Sequence, residues 1–272
     1  MTNRVDDTKT ADAFASSWNN LPKGSVYTFE QFEDWFSPLT EKEFKNKDVL
    51  ELGCGNASLL VHCTRWNPAS ITGVDLGDSI ISAEANMLET GYKKFKIEKG
   101  DLTQFKSEFK KDVVYSIGVL HHLKDPSKGL NSVIENTKSG GHFHCWVYAK
   151  EGNAIVRWVV DPIRIVVSKL PWWFTKFFVA TPLSFLYFLY AHGTVMLHLS
   201  FMPLYEYNKW ICKREFLFFR HVAFDQLVTP QTIYIDKATI QSWLKSYKEV
   251  DQQSTYVIFR NGNSWKFGGK LL

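Results

Sequence analysis

The chain has 272 residues, of which 45% are hydrophobic and 22% are charged, and its formal net charge is +4 at pH 7. This length is sufficient for one α/β domain with an insertion and for a sizeable buried core. The net charge is too small to indicate nucleic-acid binding by itself, so no nucleic-acid partner is predicted.

The cysteines and the first residues bear on the cellular compartment. Cys54, Cys63, Cys145 and Cys212 are scattered and form no Cys-x-x-Cys pair. This spacing argues against a metal site or a disulfide framework and favours reduced thiols in the cytoplasm. Residues 1–11 are polar with mixed charge, so the sequence predicts no secretory signal.

Aromatic residues are frequent in the N-terminal segment. Phe29, Phe32 and Phe36 recur at helical spacing, which predicts an amphipathic helix that docks on the rest of the fold. The alternative is that Trp18 and Tyr27 help to close a lid over a bound substrate. The sequence leaves both interpretations open.

A short apolar run followed by two glycines is the first motif. Residues 49–52 predict a strand, and Gly53 and Gly55 follow it. Because glycine has no Cβ, the backbone can approach a ligand closely there, and N–H groups at the start of the next helix would face that ligand. Two patterns compete. The dinucleotide fingerprint needs a third glycine where this chain has Ser58, whereas the S-adenosylmethionine (SAM) loop needs an acidic residue before Gly-x-Gly, and Glu51 supplies it.

Four motifs farther along the chain favour the SAM loop. Gly73-Val74-Asp75 ends a second apolar strand, and an acidic side chain there can accept hydrogen bonds from both ribose hydroxyls. The other three also adjoin predicted strands: Lys99-Gly100-Asp101-Leu102, the run from Asp112 to Leu123 with its paired histidines, and Ser139-Gly140-Gly141 before a fifth strand at 142–148. Strands alternate with helical stretches from residue 48 to 148, which is typical of a doubly wound parallel sheet.

With these motifs in this order, the chain resembles the class I SAM-dependent methyltransferases, especially the group of ubiquinone-type and small-molecule methyltransferases. The resemblance covers residues 45–150 and resumes at 236–270, where a helix at 237–247 and two strands joined by a hairpin turn would complete the sheet. It implies an α/β fold with a doubly wound, seven-stranded Rossmann-like sheet. It also implies transfer of a methyl group from SAM.

The resemblance implies a role for each matching position. The methionine part of SAM would be lined by Glu51, Gly53, Cys54 and Gly55. Asp75 would hold the ribose hydroxyls, and Leu76 belongs to the same predicted site. Asp101 would accept a hydrogen bond from the adenine amino group with Leu102 against the ring. The positions expected beside the sulfonium are Ile117 and Gly118.

Some of these positions allow a structural interpretation instead. Asp75 is also a common type of residue in a turn after a strand, and Gly100-Asp101 is an ordinary turn pair. Ala57 stands where the family often has a third glycine. Alanine is small enough that SAM binding is still expected.

Residues 152–232, which we call the cap segment, form the largest part outside the shared motifs. Basic residues outnumber acidic ones between Ile155 and His221, and no charged residue occurs between Phe177 and Tyr205. Aromatic residues are concentrated just before and within this uncharged stretch: Trp172, Trp173, Phe174, Phe177, Phe178, Phe185, Tyr187, Phe188 and Tyr190.

The uncharged stretch is long enough to cross a bilayer, but a single crossing is not expected. Parts of the predicted sheet precede and follow it, and one crossing would separate them. Two compatible hypotheses remain. The segment forms a helical cap over the active site, with Asp161-Pro162 beginning a helix that Pro171 ends, or its aromatic and basic residues rest on an anionic membrane.

Two histidines after the fourth strand are candidate catalytic groups. His121 and His122 are expected at the carboxyl end of that strand, where ligands of open α/β sheets bind. Histidine suits a base near neutral pH, and His121 is the preferred candidate. The alternative is that the pair is a structural feature at the start of a helix. Tyr148, at the end of the fifth strand, is predicted to hydrogen-bond the acceptor.

A second polar cluster occurs near the end of the cap segment. Asp225 is predicted to act as a base or to orient one, and Arg220 to pair with a phosphate or carboxylate on the acceptor. His221 is a further candidate contact to the acceptor. A capped helix end with a surface ion pair is the alternative interpretation.

These patterns predict four parts of the chain: a helical lid at 1–44, a SAM-binding core at 45–151, the cap segment at 152–232, and a last helix and strands at 233–272. The leading hypothesis is an O-methyltransferase for an amphipathic or membrane-associated acceptor, such as a lipid-linked glycan, quinone or polyketide. We expect it in the cytoplasm, peripherally on the inner membrane face through residues 155–221. The alternatives are a methyltransferase for a small soluble phenol, carboxylate or thiol, and a non-catalytic SAM-binding subunit.

Overall fold

The computed structural model of the protein describes Thr8, Ala11 and residues 27–272. Trp18 and most of the predicted helical lid therefore lie outside the described residues. The remainder contains a seven-stranded sheet with helices on both faces, and a helical segment between the fifth strand and the last helix.

The strands form one mixed sheet in the order β3-β2-β1-β4-β5-β7-β6. Their bounds are β1 Asp48–Leu52, β2 Ser70–Asp75, β3 Phe95–Lys99, β4 Lys111–Ile117, β5 Thr137–Tyr148, β6 Tyr256–Arg260 and β7 Ser264–Lys270. The first five strands pair in parallel, and β7 runs antiparallel to both β5 and β6. The predicted seven-stranded α/β sheet is confirmed.

Helices make up most of the rest of the described chain. The α-helices are α1 Phe29–Phe36, α2 Glu41–Phe44, α3 Leu60–Cys63, α4 Ile80–Glu89, α5 Pro126–Asn136, α6 Asp161–Val167, α7 Trp172–Phe174, α8 Thr181–Met196, α9 Tyr205–Ile211, α10 Phe216–Val228 and α11 Lys237–Ser246. Shorter turns of 3₁₀ helix are Thr64–Trp66 and Leu120–His122, and π-helical turns are Val156–Val160 and Thr175–Ala180.

Each face of the sheet has its own apolar core because side chains alternate along a strand. In β1, Leu50 packs on the side of α5 and α11, and Val49 packs on the side of α1 to α4. In β4, Val114 and Tyr115 divide in the same way. Burial of each large apolar side chain contributes roughly 1.5–3 kcal/mol, so the register of the sheet is strongly specified.

Helix α1 docks on the sheet as its aromatic spacing predicts. The hydroxyl of Thr28 accepts from the backbone N–H of Gln31, and the Gln31 amide oxygen accepts from the N–H of Thr28, which forms a capping box at the helix start. Phe32 and Phe36 are fully buried, and the Phe36 ring meets the edge of Tyr115 with centroids 4.6 Å apart. The helix therefore contributes directly to the core.

Two local predictions need correction. The predicted turn at Ser139-Gly140-Gly141 lies inside β5, where the pairing with β4 shifts register and Gly140 has a φ of +71°. Asp161 is not an N-cap, because the π-helical turn before it continues into α6. Its carboxylate instead accepts from Tyr234 and pairs with Arg164, at 3.1 Å each. The predicted hairpin between the last two strands is confirmed.

The cap segment has small apolar clusters of its own. Val167, Ala180, Phe224 and Leu227 form one, and Ala191, Ile211 and Phe219 form another. Helix α10 packs against α6 on one side and α8 on the other. This arrangement places α10 between the outer helices and the carboxyl edge of the sheet.

Candidate active site

A cavity of about 250 Å³ lies at the carboxyl ends of the central strands. Its walls come from the turns that follow β1, β2 and β4, from α1, and from the second half of the cap segment. This is the edge at which open α/β sheets bind ligands. All the predicted SAM-binding residues line it: Glu51, Gly53, Cys54, Gly55, Asp75, Leu76, Asp101, Leu102, Ile117 and Gly118.

The turn after β1 depends on backbone conformations that favour glycine. Gly53 has a φ of +84°, and a Cβ placed on it would lie 2.4 Å from the Val119 side chain. Gly55 and Ala57 also have positive φ values, of 53° and 65°. An alanine in this left-handed conformation costs roughly 1–2 kcal/mol, whereas a glycine adopts it freely. The conformation therefore explains why the family often has glycine at the position of Ala57.

Asp75 joins two loops of the site. Its carboxylate accepts from the backbone N–H of Gly55 at 2.8 Å, from that of Gly77 at 2.9 Å, and from the Ser79 hydroxyl at 3.2 Å. Burial raises the pKa of this carboxyl, and the hydrogen bonds lower it again in part. The side chain therefore has a turn-stabilising role as well as a place in the cavity wall, and its contact with ribose remains a prediction.

Glu51 is a buried acid that faces the cavity. It is 2% exposed, and the Tyr115 hydroxyl donates to its carboxylate at 3.3 Å. Burial raises its pKa well above the usual range, with a smaller contribution from Asp75. A cationic group bound beside Glu51 would compensate for this burial.

Asp101 also takes part in its own turn. It accepts from the N–H and the hydroxyl of Thr103, at 2.8 and 2.7 Å, and from the Gln104 amide at 2.9 Å. The ordinary turn interpretation thus describes much of its bonding, although the side chain lines the cavity beside Leu102. Its hydrogen bond to adenine remains a prediction.

His121 lies deep in the cavity wall. It is fully buried, and neither of its ring nitrogens has a hydrogen-bond partner within the part of the chain that the structure describes. Burial lowers its pKa well below the usual range, so the ring is neutral at pH 7. A neutral imidazole with unsatisfied nitrogens is suited to a hydrogen bond with a ligand.

His122 and Tyr148 lie next to His121. The rings of His121 and Tyr148 are 4.4 Å apart. The Nδ1 of His122 donates to the Gln231 carbonyl at 2.9 Å, and burial lowers the pKa of His122 to about 4. Both histidines belong to the 3₁₀ turn Leu120–His122, while the following helix is capped separately by Asp125.

Two tryptophans of this wall were not predicted from the sequence. Trp35 and Trp146 line the cavity, are less than a tenth exposed, and have indole N–H groups without a partner among the described residues. Trp146 precedes Tyr148 by two positions in one strand, so the two share a face, and this spacing was a usable signal. Trp35 had no comparable signal, because it depends on how α1 docks.

The cap segment forms one side of the cavity. Helices α9 and α10 contribute Tyr207, Trp210, Phe218, His221, Asp225 and Gln226 to its lining. The Nε2 of His221 lies 3.3 Å from the carboxylate of Asp225, one helical turn away. Tyr27 also lines the cavity and meets Trp35 edge-on at 4.6 Å, whereas Arg220 is not part of the lining.

A buried hydrogen-bond network fixes the cap against the sheet. The Gln226 amide donates to the Tyr148 hydroxyl at 2.7 Å. Arg164, which is 4% exposed, donates to the Gln226 carbonyl at 2.7 Å and to its side-chain oxygen at 2.9 Å. Asp161 neutralises Arg164 from within the same helix. The network thus connects α6, α10 and β5 at the cavity.

Residues 43–159 match the family model described as a methyltransferase domain. These residues form a class I SAM-dependent methyltransferase domain. They contain every predicted cofactor-binding residue and both histidines, and the domain's cofactor is SAM.

Two comparisons with curated relatives cover only this part. An uncharacterized protein of Synechococcus is 30% identical over 124 residues, which are 43% of this chain and 29% of that protein. A ubiquinone biosynthesis O-methyltransferase of Pseudoalteromonas translucida is 34% identical over 98 residues, 35% of this chain and 41% of the enzyme. The chain thus spans less than half the length of these relatives.

Two solved structures are similar over most of the chain. Magnesium protoporphyrin IX methyltransferase from Synechocystis, solved with bound SAH, gives a TM-score of 0.59 at 13% identity and covers 98% of this chain and 100% of its own. An O-methyltransferase family protein from Burkholderia thailandensis gives a TM-score of 0.55 at 11% identity. The similarity covers 89% of this chain and 56% of that protein. At these identities the similarity concerns the fold alone.

The charges that line the cavity suit SAM. Its acidic lining residues are Glu51, Asp75, Asp101 and Asp225, and the guanidinium among the lining residues, that of Arg260, is held by Asp34. SAM carries a sulfonium and an ammonium group, and such a cavity favours cations. Within the described ranges no group of three or more His, Cys, Asp or Glu side chains could hold a metal ion.

Proposed function

We propose that the whole chain is an O-methyltransferase that holds a small or amphipathic acceptor between the sheet and the cap segment. The observation that carries this proposal is the single cavity shared by the motif residues of the core and the side chains of α9 and α10. The core residues would bind SAM, and the aromatic wall of Trp35, Trp146 and Tyr148 would bind the acceptor.

SAM supplies an electrophilic methyl group, so positioning of the acceptor in line with it contributes much of the rate. His121 would accept the proton of the acceptor hydroxyl, because its ring is neutral and neither ring nitrogen has a partner among the described residues. Burial lowers the pKa of His121, so in the site without an acceptor it is a weaker base than an exposed histidine. His122 lies in the same turn, with its ring centroid 4.1 Å from that of His121, and would hold the His121 ring in position.

Two polar residues would orient the acceptor. The Tyr148 hydroxyl accepts a hydrogen bond from Gln226, so it can direct its own proton toward an acceptor oxygen. Asp225 would act from the cap side, either as a second base or by orienting His221. The roles proposed for Arg220 and Trp18 have no support from the cavity lining, since Arg220 lies outside it and Trp18 outside the described residues.

The acceptor class we favour is amphipathic and membrane-associated, such as a lipid-linked glycan, a quinone or a polyketide. Relatives named ubiquinone biosynthesis O-methyltransferase support a quinone-like acceptor. Exposed apolar and basic residues between 155 and 221 support a peripheral contact with an anionic membrane, on the cytoplasmic face. A small soluble phenol, carboxylate or thiol is the second candidate, favoured by the cavity's volume of about 250 Å³ and by its lining from α9 and α10.

Incubation with methyl-labelled SAM and separated membrane and soluble extracts of the source cells tests this function. We expect one labelled product from the membrane extract, with the label on oxygen. Label only in the soluble extract would replace the amphipathic acceptor with the soluble one. SAM binding by calorimetry without any labelled product would favour a non-catalytic SAM-binding subunit.

A pair of histidine variants tests the proposed base. His121→Gln should retain SAM binding and lose labelled product by about 100-fold or more. His142→Gln is the matched control, because His142 is half-buried and lies in a separate crevice at the other edge of the sheet. Full activity of His121→Gln would eliminate His121 as the base.

A further inference from the structure

The outer surface of the cap segment is strongly apolar. Most of the exposed large hydrophobic side chains of the described residues lie between Ile155 and Phe201. A continuous helical stretch, Trp172–Met196, is long and apolar enough to cross a membrane by length and composition, yet only 22% of its most apolar window is buried. Its exposed residues form what we call the apolar surface: Trp172, Trp173, Phe174, Phe177, Phe178, Leu183, Phe185, Leu186, Leu189 and Met196.

Helix α8 turns its polar side toward the protein. Ser184 and Thr194 are buried, the Asn208 amide donates to the Thr194 hydroxyl at 2.9 Å, and the Tyr187 hydroxyl donates to Asn208 at 2.6 Å. Leu186 and Leu189 face outward and are 63% and 54% exposed. A helix on a water-exposed surface shows the opposite arrangement. The polarity of α8 therefore fits an apolar surrounding.

The charge around the apolar surface is positive. Between residues 155 and 202 Asp161 supplies the sole carboxylate, and it is paired with the buried Arg164. Arg157, Lys169 and Lys176 form no ion pair with any described residue. The Lys176 ammonium lies 5.7 Å from the ring centroid of the exposed Trp172 and 5.8 Å from that of Phe224. Unpaired cations beside exposed tryptophans are complementary to anionic lipid headgroups.

A crossing of the bilayer by this helix is incompatible with the sheet. Strand β5 precedes the helix and β7 follows it, and the two pair from His142↔Lys270 to Tyr148↔Ser264. The apolar surface is also separate from the cavity, whose cap residues begin at Tyr207. Helix α10 lies between them, with α8 on one side and the cavity on the other.

We propose that helix Trp172–Met196 lies flat in the headgroup region of an anionic bilayer, with Phe185, Leu186 and Leu189 among the acyl chains and Lys169 and Lys176 at the phosphates. This inference rests on the peripheral contact in the proposed function and specifies its surface. It does not require methyl transfer, so it can fail while the methyltransferase assignment holds.

Flotation of the full chain with phosphatidylcholine vesicles, with and without phosphatidylglycerol, tests the proposal. We expect flotation with the phosphatidylglycerol vesicles and much less with pure phosphatidylcholine. The variant Leu186→Glu/Leu189→Glu should reduce the bound fraction about tenfold or more, because two apolar side chains leave the lipid. The variant Lys169→Ser/Lys176→Ser should weaken the preference for phosphatidylglycerol.

The matched control is Ile81→Glu/Leu88→Glu. It changes two exposed apolar residues of α4, a helix outside the cap segment. It should float as the wild type does, and SAM binding by calorimetry should be unchanged in all variants. A wild-type chain that stays unbound with both vesicles overturns the proposal, as does a Leu186→Glu/Leu189→Glu variant that floats normally. A dimer that this variant dissociates, seen by light scattering without flotation, would assign the surface to a second copy of the chain.

Discussion

The side-chain amide of Gln226, on α10, donates a 2.7 Å hydrogen bond to the hydroxyl of Tyr148 at the end of β5. This contact joins the cap segment to the carboxyl edge of the sheet, directly at the cavity. The Arg164 guanidinium donates two further hydrogen bonds to Gln226, to its backbone carbonyl and to its side-chain oxygen. The position of the cap over the cavity therefore depends on a buried polar network, and such networks are costly to leave partly satisfied.

Gln226→Leu should destabilise the protein by about 1–3 kcal/mol, because it leaves the buried Arg164 with one acceptor fewer. Tyr148→Phe should cost less, since it removes one neutral hydrogen bond. Denaturant unfolding of both single variants and the double variant gives the coupling energy, which we expect to be about 0.5–1.5 kcal/mol. A coupling energy near zero would show that the two side chains do not interact in solution.

Asp75→Asn should lower SAM affinity about tenfold or more, because the neutral amide is a weaker acceptor for the Gly55 and Gly77 N–H groups and for ribose hydroxyls. Calorimetric titration with SAM measures the effect. Asp78→Asn is the control, since the Asp78 side chain is 69% exposed and pairs with Lys99. Equal affinity of the Asp75 variant and the wild type would remove Asp75 from the SAM site.

Gly53→Ala should destabilise the protein by about 2–4 kcal/mol, through a left-handed alanine and a clash with Val119. Gly91→Ala separates the two effects, because Gly91 has a φ of +75° but nothing within 4 Å of the position that a Cβ would take. We expect Gly91→Ala to cost only about 1–2 kcal/mol. The double variant Gly53→Ala/Val119→Ala should recover part of the stability, and urea unfolding of the set measures each difference.

Acid should destabilise the fold through His144. Its Nε2 donates to the Trp35 carbonyl, the Tyr256 hydroxyl donates to its Nδ1, and burial lowers its pKa to about 3. In the unfolded chain His144 binds a proton below about pH 6.5. In the folded chain the same ring is protonated only near pH 3. Stability is therefore lost as the pH falls through this range.

This pH dependence can be measured as the slope of unfolding free energy against pH between about pH 6 and 4. A single histidine of this kind contributes up to about 1.4 kcal/mol per pH unit. His144→Gln should flatten the slope, although its absolute stability is lower. His198→Gln, at an exposed position of the cap segment, should leave the slope unchanged, and an equally steep slope in both variants would exclude His144 as the cause.

The core of the fold follows from local sequence patterns. Residues close together in the chain specify the apolar strands and the hairpin at Asn261-Gly262. The same holds for Gly53, Gly55 and Asp75. The turn at Ser139 to Gly141 shows the limit of such patterns. Whether two glycines end a strand or continue it irregularly depends on the partner strand, and here β4 supplies the pairing that keeps them in β5.

The part of the cavity wall outside the motif loops could be predicted only in part. His121, His122, Tyr148, His221 and Asp225 were singled out by residue type, yet their grouping required contacts across long separations in the chain. Trp35 became a wall residue because α1 packs against β5, and Gln226 because α10 crosses the sheet edge.

The sequence by itself determined the class of domain, its cofactor loops and the presence of a basic, aromatic cap segment, because these depend on residue type at short spacing. The tertiary structure alone decided that α9 and α10 face the cavity while α8 turns its apolar side outward. A nearly uniform apolar helix has no periodic pattern that selects its buried face. The hydrogen bonds of Tyr187 and Thr194, on α8, with Asn208 of α9 make that selection.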